Sequence, residues 1–297
     1  MNLVVIFKIL YYLLFLLWPL LAYGIFRLYK KFSWSWLFIV CLSTLVIWSG
    51  FFEPRLLTVN NWKMDLSHEE KLSEPLKVIF ISDLHFSLVN RPHFMRRVAK
   101  RINELQPDVV LLGGDYVYYE NKARLDSDFD FLNDISAVKL AVLGNHDRGL
   151  PGDDLSPDLS KILIDHGVII IERDGYYFEK EGHEIFFWGI GDLWTSPVFY
   201  ESIKGVSDAD IVVAVSHNPD IAYFLPRRPD LLISGHTHGG QVRIPWLYEL
   251  MIPSNYGFNR GIYIVNNFKV LVSSGLGTIG LPFRFLDIPV IEALEIY

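Results

Sequence analysis

The hydrophobic positions along this chain follow two different patterns that change near residue 53. Two uncharged stretches, residues 9–26 and 33–52, come first and are 18 and 20 residues long. A helix of that length crosses the roughly 30 Å hydrocarbon core of a bilayer. From residue 54 onward, short apolar runs of strand length alternate with amphipathic segments of helix length. The pattern predicts a membrane anchor of two transmembrane helices within residues 1–53 and a water-exposed α/β domain over residues 54–297.

The alternative for the first stretch is a cleaved signal peptide. The stretch is too long for one, lacks an A-x-A site, and is followed at once by a second apolar run. The connection between the stretches carries Arg27, Lys30 and Lys31, which favours a cytoplasmic connection and an outward-facing domain. Basic residues also flank the other helix ends, so the membrane side of the domain stays open.

Five runs rich in β-branched and other apolar residues predict the strands of the α/β domain. They cover residues 77–82, 109–113, 138–144, 211–216 and 230–234. The segments between them predict helices over 93–108, part of 126–136 and 157–167, and a hairpin over 176–190 that turns near Gly182. Strands that alternate with helices indicate a largely parallel or mixed sheet with covered faces.

Polar side chains follow each of these five strands, where the ligand site of an open α/β sheet lies. They are Asp83 and His85, then Asp115, then Asn145, His146 and Asp147, then His217, and finally His236 and His238. Taken singly, an aspartate after a strand is most often a helix cap, and a lone histidine a structural residue. Together, oxygen and nitrogen donors without a thiolate suit Zn, Mn or Fe.

Net charge and cysteine content argue against a nucleic-acid-binding protein and against a disulfide-bonded one. The formal net charge is −7, whereas a nucleic-acid-binding protein is usually basic, so no nucleic-acid partner is expected. Cys41 is the only cysteine and lies in the second apolar stretch, which excludes a disulfide within the chain.

The polar strand ends spell a set of motifs: D-x-H at 83–85, G-D at 114–115, G-N-H-D at 144–147, a single histidine at 217 and G-H-x-H at 235–238. In this order they resemble the calcineurin-like metallophosphoesterases over residues 54–297. The sequences GHTHGGQVRIP and SSGLGTIGLPFRF are similar to a bacterial membrane-associated branch that includes UDP-2,3-diacylglucosamine pyrophosphatases of lipid A synthesis. The resemblance implies an α/β/β/α sandwich with two mixed sheets, here behind the membrane hairpin.

The resemblance also implies a ligand set for two divalent metal ions (Mn, Zn or Fe). The first ion takes Asp83, His85, Asp115 and His238, and the second takes Asp115, Asn145, His217 and His236. Asp115 bridges the two ions. Such a pair activates water and stabilises charge on a phosphoryl group.

Two further residues of the G-N-H-D motif take catalytic roles by the same resemblance. His146 is the histidine that is not a ligand and that acts on the leaving oxygen, and Asp147 is the acid that orients it.

The expected function is hydrolysis of a phosphoester or pyrophosphate bond by a multi-pass protein of a bacterial inner or cell membrane. The resemblance favours a UDP-2,3-diacylglucosamine-type lipid pyrophosphate as the substrate and the lipid bilayer as a partner. One alternative is an extracytoplasmic phosphodiesterase that acts on another envelope or lipid substrate. Another is a non-catalytic scaffold on the same fold.

Three residues outside the ligand set have two interpretations each. Arg148 contacts a substrate phosphate or forms a surface ion pair. Asn218 hydrogen-bonds near the site or starts a helix before Pro219. Asp192 ends a strand that faces the site and either supports it or caps a turn.

The long aromatic segment 244–264 is interrupted by proline and glycine. It is either a hairpin with a long loop packed on the domain or a lid beside the metals that touches membrane or acyl chains. The apolar tip of such a lid would be Trp246, Leu247, Leu250 and Met251.

Overall fold

The computed structural model describes residues 3–66, 72–86, 92–118, 125–195 and 209–297. The first helical segment consists of α1 (Leu3–Leu13), a 3₁₀ turn (Leu14–Leu16) and α2 (Leu17–Lys30). The second consists of α3 (Trp34–Ile47), a π-helical turn (Trp48–Phe52) and a 3₁₀ turn (Glu53–Arg55). The two segments form an N-terminal helical hairpin.

Both helical segments are long and apolar enough to cross a membrane, over Ile9–Lys30 and Trp34–Arg55. They extend beyond the predicted ends at residues 26 and 52. At the first of these ends, the basic side chain of Arg27 is accommodated on the helix surface, where it donates to the Tyr23 hydroxyl and lies over the Trp36 ring. Gly24 lets the helices approach closely, because a Cβ there would lie 2.8 Å from Val40 Cγ2.

The first sheet of the α/β domain has the strand order β1-β12-β2-β3-β4-β5. Its strands are β1 (Thr58–Met64), β2 (Leu76–Ile81), β3 (Val109–Leu112), β4 (Val138–Ala141), β5 (Val168–Ile170) and β12 (Val290–Ile296). β2 to β5 are parallel, whereas the C-terminal strand β12 pairs antiparallel with β2 and parallel with β1. The sheet is therefore mixed, as predicted.

The second sheet has the order β10-β11-β9-β8-β7-β6. Its strands are β6 (Gly175–Lys180), β7 (His183–Gly189), β8 (Ile211–Val215), β9 (Leu231–Ser234), β10 (Gly261–Val265) and β11 (Phe268–Val272). β6 and β7 form the predicted hairpin, with Gly182 in its turn at φ 82°. Buried residues from both sheets, among them Phe80 and Phe187, form one core between them.

Two helices, α4 (Pro92–Leu105) and α6 (Ser156–Asp165), cover the outer face of the first sheet. The helix predicted within 126–136 is broken into α5 (Leu125–Asp128) and a 3₁₀ turn (Asp130–Asp134). Four of the ten residues from 125 to 134 are aspartates, a residue type with low helix propensity. The sandwich brings the carboxyl ends of β2, β3, β4, β8 and β9 to one edge, where the candidate ligands follow.

Candidate metal centre

Six of the seven predicted ligands converge in two groups of buried donor atoms, and the seventh, Asn145, lines the cavity beside them. In the first group, the donor atoms of Asp83, His85 and His238 all lie within 4.8 Å of one another. His85 Nε2 is 2.9 Å from His238 Nε2, and His238 Nε2 is 3.4 Å from Asp83 Oδ1. Donors that share one ion at about 2.0–2.2 Å lie roughly 3 Å apart. The spacing fits a single divalent ion.

The second group consists of Asp115, His217 and His236. His217 Nε2 lies 3.0 Å from Asp115 Oδ2 and 3.2 Å from His236 Nδ1. Asp115 Oδ2 is also 3.6 Å from His85 Nε2 in the first group. Asp115 therefore lies between the groups, where a bridging carboxylate belongs.

Asn145 offers a neutral oxygen beside the second group. Its amide Nδ2 donates to the Leu150 carbonyl at 2.7 Å, which fixes the orientation of the amide. Its buried Oδ1 has no hydrogen-bond partner among the described residues, and the residue lines the cavity at the site. A buried acceptor without a partner is unfavourable unless a cation or donor meets it.

The electrostatics of the cluster also suit cations. Burial lowers the pKa of His85 and His236 to about 3, and that of His238 well below its usual range, so these rings are neutral and present lone pairs. Burial opposes charge on His217 as well, but the Asp115 and Asp83 carboxylates raise its pKa to about 10. The aspartates thus draw positive charge into the cluster.

His217 is held with one nitrogen facing Asp115. Its Nδ1 lies 2.8 Å from the Gly113 carbonyl, which can only accept, so Nδ1 is the donor. Nε2 then faces Asp115 and is the nitrogen available to bind a metal, as in a histidine ligand that is oriented by a backbone carbonyl.

The backbone at the ligands adopts an unusual conformation. Five of the seven lie in the left-handed region, with φ of 54° at Asp83, 45° at His85, 54° at Asp115, 71° at His236 and 50° at His238. Such residues are uncommon outside glycine and cluster at functional sites, where about 1–3 kcal/mol of strain each is tolerated. The motif pattern carries no signal for this geometry.

Gly144 and Gly235, which lack a side chain, leave space for the carboxylates of Asp115 and Asp83. A Cβ at Gly144 would lie 2.1 Å from Asp115 Oδ1, and a Cβ at Gly235 would lie 2.4 Å from Asp83 Oδ2. Both contacts are impossible for a real side chain. The glycines in G-N-H-D and G-H-x-H are therefore needed because the ligand carboxylates lie against the backbone.

His146 lies beside the ligands, at the cavity wall. Its Nε2 is 3.9 Å from Asp115 Oδ2, and its ring makes edge contacts with His85 and Tyr118. Burial lowers its pKa. The His146 ring also falls within donor distance of His85 and Asp115, so proximity alone does not separate it from the ligands.

Asp147 does not make the predicted contact with His146. Its carboxylate accepts the backbone N–H groups of Asp115, Tyr116, Val117 and Gly144 at 2.8–3.3 Å. His146 Nδ1 has no hydrogen-bond partner among the described residues, so no hydrogen bond to Asp147 orients the ring there. Asp147 instead fixes the backbone of Asp115 and its neighbours, and burial raises the pKa of Asp147 to about 7.

A buried arginine supports the site and was not predicted. Arg284 is fully buried and donates to the carbonyls of Ser274, Gly275 and Gly277 and to the Asp287 carboxylate. The loop that it holds lies on Asp83, because Leu276 N donates to Ser82 O and Gly277 N to Asp83 O. The only sequence signal is a charged pair, Arg284 and Asp287, after an apolar, glycine-rich run.

Each of the three residues with two interpretations makes a structural contact. Arg148 forms an ion pair with Glu172 that is half-buried. Asn218 caps the 3₁₀ turn Pro219–Tyr223 by accepting from Asp220 N at 3.0 Å. Asp192 caps the turn that carries Trp194, whose ring makes an edge contact with His236.

A cavity of about 320 Å³ adjoins the donor groups. Its lining includes donor residues, among them Asp115, Asn145 and His236, together with His146. Apolar side chains also line it: Trp194, Val242, Met251, Pro253 and Ile279. This mixed lining suits a ligand that combines a phosphate with an apolar group.

Comparison with known proteins agrees with this geometry. A family model described as calcineurin-like phosphoesterase matches residues 76–240. The chain is 28% identical to the uncharacterized metallophosphoesterase YkuE of Bacillus subtilis, over 84% of this chain and 88% of the relative. It is 28% identical to the phosphodiesterase YaeI of Escherichia coli, over 69% and 76%, and 24% identical to the UDP-2,3-diacylglucosamine pyrophosphatase LpxG of Chlamydia trachomatis, over 67% and 74%.

Proposed function

We propose that this chain, which belongs to the calcineurin-like phosphoesterase family and is a hydrolase, cleaves a phosphodiester or pyrophosphate bond in a lipid-linked substrate at a membrane. The observation that carries the proposal is a pair of donor groups with the Asp115 carboxylate between them, beside a cavity that is lined in part by apolar side chains. Residues 1–53 form the two-pass anchor in this proposal, and residues 54–297 form the catalytic domain.

The proposed ligand assignment follows the two groups, with Asp115 common to both and Asn145 added to the second. When bound, two divalent ions supply charge stabilisation at the phosphoryl oxygens and lower the pKa of water. The chain's own residues hold the geometry: Asp147 fixes the backbone of Asp115, and the Leu150 carbonyl fixes the Asn145 amide. His146, at the cavity wall, donates to the leaving oxygen.

A UDP-2,3-diacylglucosamine-type lipid pyrophosphate is the specific substrate that we propose. Its support is the likeness to LpxG from two Chlamydia species, at 24% and 22% identity, and the apolar side chains that line part of the cavity. The apolar N-terminal helices would bring the domain to the surface where such an amphiphile is concentrated.

A second candidate is an extracytoplasmic phosphodiesterase that acts on another envelope lipid. Arg27, Lys30 and Lys31 in the helix connection favour this orientation, since basic connections stay in the cytoplasm. A reporter fused to the C-terminus of the full chain, active on one side of the membrane only, distinguishes the candidates. A cytoplasmic reporter supports the nucleotide-sugar lipid, and an outward reporter supports the second candidate.

The metal site is tested on the detergent-solubilised full chain by metal analysis and by hydrolysis of bis(p-nitrophenyl) phosphate with added Mn²⁺. His217→Ala is expected to lower both bound metal and turnover. His183→Ala, on the β6–β7 hairpin away from the site, is the matched control and should change neither. Full metal content and turnover in His217→Ala would refute the ligand assignment.

A further inference from the structure

The segment 244–253, here called the apolar loop, exposes large hydrophobic side chains. Trp246 is 88% exposed, Leu250 80% and Met251 76%. The loop is nevertheless hydrogen-bonded internally, since Leu247 N and Tyr248 N both donate to Ile244 O at 3.0–3.1 Å. Single exposed hydrophobic residues are ordinary on a protein surface, but a contiguous group of them marks an interaction site.

The apolar loop is also fastened to the domain at both ends. At its start, the Arg243 guanidinium lies over the Tyr248 ring, 4.0 Å from the ring centre, and Arg243 N donates to Phe285 O at 2.9 Å. Just beyond its end, Ser254 Oγ and Asn255 N donate to the buried Asp220 carboxylate at 2.5 and 2.7 Å. The exposed tip therefore belongs to a fixed element, which can present it to a partner.

A short segment, residues 283–285, here called the strip, separates the apolar loop from the second N-terminal helical segment. On one side of this strip, Arg284 N donates to Ser49 O at 2.9 Å, and the Phe283 ring packs against Gly50. On its other side, Arg243 N donates to Phe285 O at 2.9 Å, and Phe285 N to Gln241 O at 3.0 Å. The loop therefore lies beside the end of the helical hairpin that adjoins the catalytic domain.

Aromatic residues are concentrated at that same end of the hairpin. Tyr11, Phe15, Trp18, Phe51 and Phe52 make a continuous set of ring contacts there. Aromatic rings are enriched where transmembrane helices pass through the interface between hydrocarbon and water. The arrangement puts the apolar loop next to the part of the anchor that meets the headgroups.

The apolar loop is also continuous with the metal cavity. Met251 is exposed at the loop tip and at the same time lines the cavity of about 320 Å³ that contains Asp115 and His146. Ile279 lines the cavity too, and its carbonyl accepts from Gln241 Nε2 at 3.0 Å, near the start of the loop. The cavity at the donor groups is therefore lined in part by the apolar loop, which lies beside the helical hairpin.

We propose that the apolar loop inserts Trp246 and Leu250 into the interfacial layer of the lipid bilayer, and that the cavity accepts an amphiphilic phosphoester directly from that layer. The hydrocarbon of the substrate leaves the cavity over Met251 and stays in the bilayer while its phosphate reaches the metal groups. This inference rests on the proposed function, since it concerns the substrate route of the same site.

Two substrates with the same reacting bond test the route. The full chain, reconstituted in vesicles of phosphatidylcholine and phosphatidylglycerol, is assayed with p-nitrophenyl hexadecyl phosphate in the vesicles and with water-soluble p-nitrophenyl ethyl phosphate. The double variant Trp246→Ser/Leu250→Ser is expected to lose about tenfold or more in kcat/KM on the hexadecyl ester, and less than about twofold on the ethyl ester. Ile164→Ser/Ile264→Ser, which removes two exposed apolar side chains outside the loop, is the matched control and should change neither value.

A second measurement does not depend on turnover. Phospholipids with a doxyl quencher near the headgroup should quench tryptophan fluorescence less in Trp246→Phe than in the wild type, because the tryptophans of the anchor are common to both proteins. Equal quenching in the two proteins would overturn the inference. Three kinetic results would also overturn it: an equal loss of kcat/KM on both esters, no loss on either ester, or no preference of the wild type for the hexadecyl ester. A dimer that the double variant dissociates, without a change in quenching, would identify a second copy of the chain as the partner and also overturn it.

The failure of the proposed function has a different signature. A wild-type protein that holds its metals but cleaves neither ester would refute the hydrolysis of phosphodiesters. The quenching comparison would still decide whether the apolar loop contacts the bilayer.

Discussion

Gly144→Ala places a methyl group where the bridging carboxylate lies. The new Cβ would be 2.1 Å from Asp115 Oδ1 and 2.6 Å from Asp115 N, whereas ordinary contact begins at 3.4 Å. Asp115 therefore has to move by about 1.3 Å, which breaks the hydrogen bond that His146 N donates to Asp115 Oδ1 at 2.9 Å. The substitution acts on a carboxylate that lies between the two donor groups.

The magnitude follows from two effects. Overpacking a buried site destabilises by about 1–3 kcal/mol, and losing a hydrogen bond to a charged group by about 1.5–3 kcal/mol. We expect the free energy of unfolding to fall by roughly 3–6 kcal/mol and the Tm by about 10 °C or more. A displacement of about 1 Å at the reacting centre lowers turnover about 100-fold.

The assay compares Tm, bound metal and kcat on a chromogenic phosphodiester in the detergent-solubilised full chain. Gly182→Ala is the matched control, because no atom lies within 4 Å of its new Cβ, although its φ of 82° is left-handed. The control should lose about 1–2 kcal/mol through backbone strain and keep its metal and turnover. Wild-type metal content and kcat in Gly144→Ala would refute the claim that this glycine makes room for Asp115.

Three further substitutions test other parts of the structure. His146→Ala should keep both metals and lose turnover by about 10²–10⁴-fold, and loss of metal by elemental analysis would instead make His146 a ligand. Arg284→Met should destabilise by about 3–5 kcal/mol in thermal unfolding, because it removes the hydrogen bonds to the carbonyls of the supporting loop and leaves the buried Asp287 carboxylate paired with Arg260 but not with Arg284. An unchanged Tm would contradict this role. Arg148→Ala should destabilise by about 3 kcal/mol at pH 8. Burial already raises the pKa of Glu172 above its ordinary 4.5, and loss of the arginine raises it further. As the pH falls, Glu172 of the variant is therefore protonated in the folded state before it is protonated in the unfolded state. The deficit should therefore shrink towards pH 5, and a deficit independent of pH would show that Glu172 does not carry it.

Local patterns were sufficient to predict which polar residues converge at the sheet edge and where the helical hairpin lies. Asp83, Asp115 and His217 each follow an apolar run of strand length, and carboxyl ends of parallel strands meet at one edge, so their convergence was predictable. The length of the uncharged stretches likewise predicted the two N-terminal helices. The membrane side of the domain and its specific substrate stay proposals, because neither follows from a local pattern.

Several features were decided only by tertiary contacts. The last strand, β12, is inserted between β1 and β2, although more than 200 residues separate it from both in the chain. Asp147 bonds the backbone of Asp115 and its neighbours because that backbone folds over it, not because of its place beside His146. The support from Arg284 depends on a loop that returns to Asp83.

The sequence by itself determined which residue types reach the strand ends, because period and run length are local properties of the chain. It did not determine the sign of φ at the ligands or the space left by Gly144 and Gly235. Those depend on atoms that are distant in sequence and meet only when the two sheets pack. Tertiary structure also placed the apolar loop beside the helical hairpin, since the strip that joins them is held from both sides by backbone hydrogen bonds.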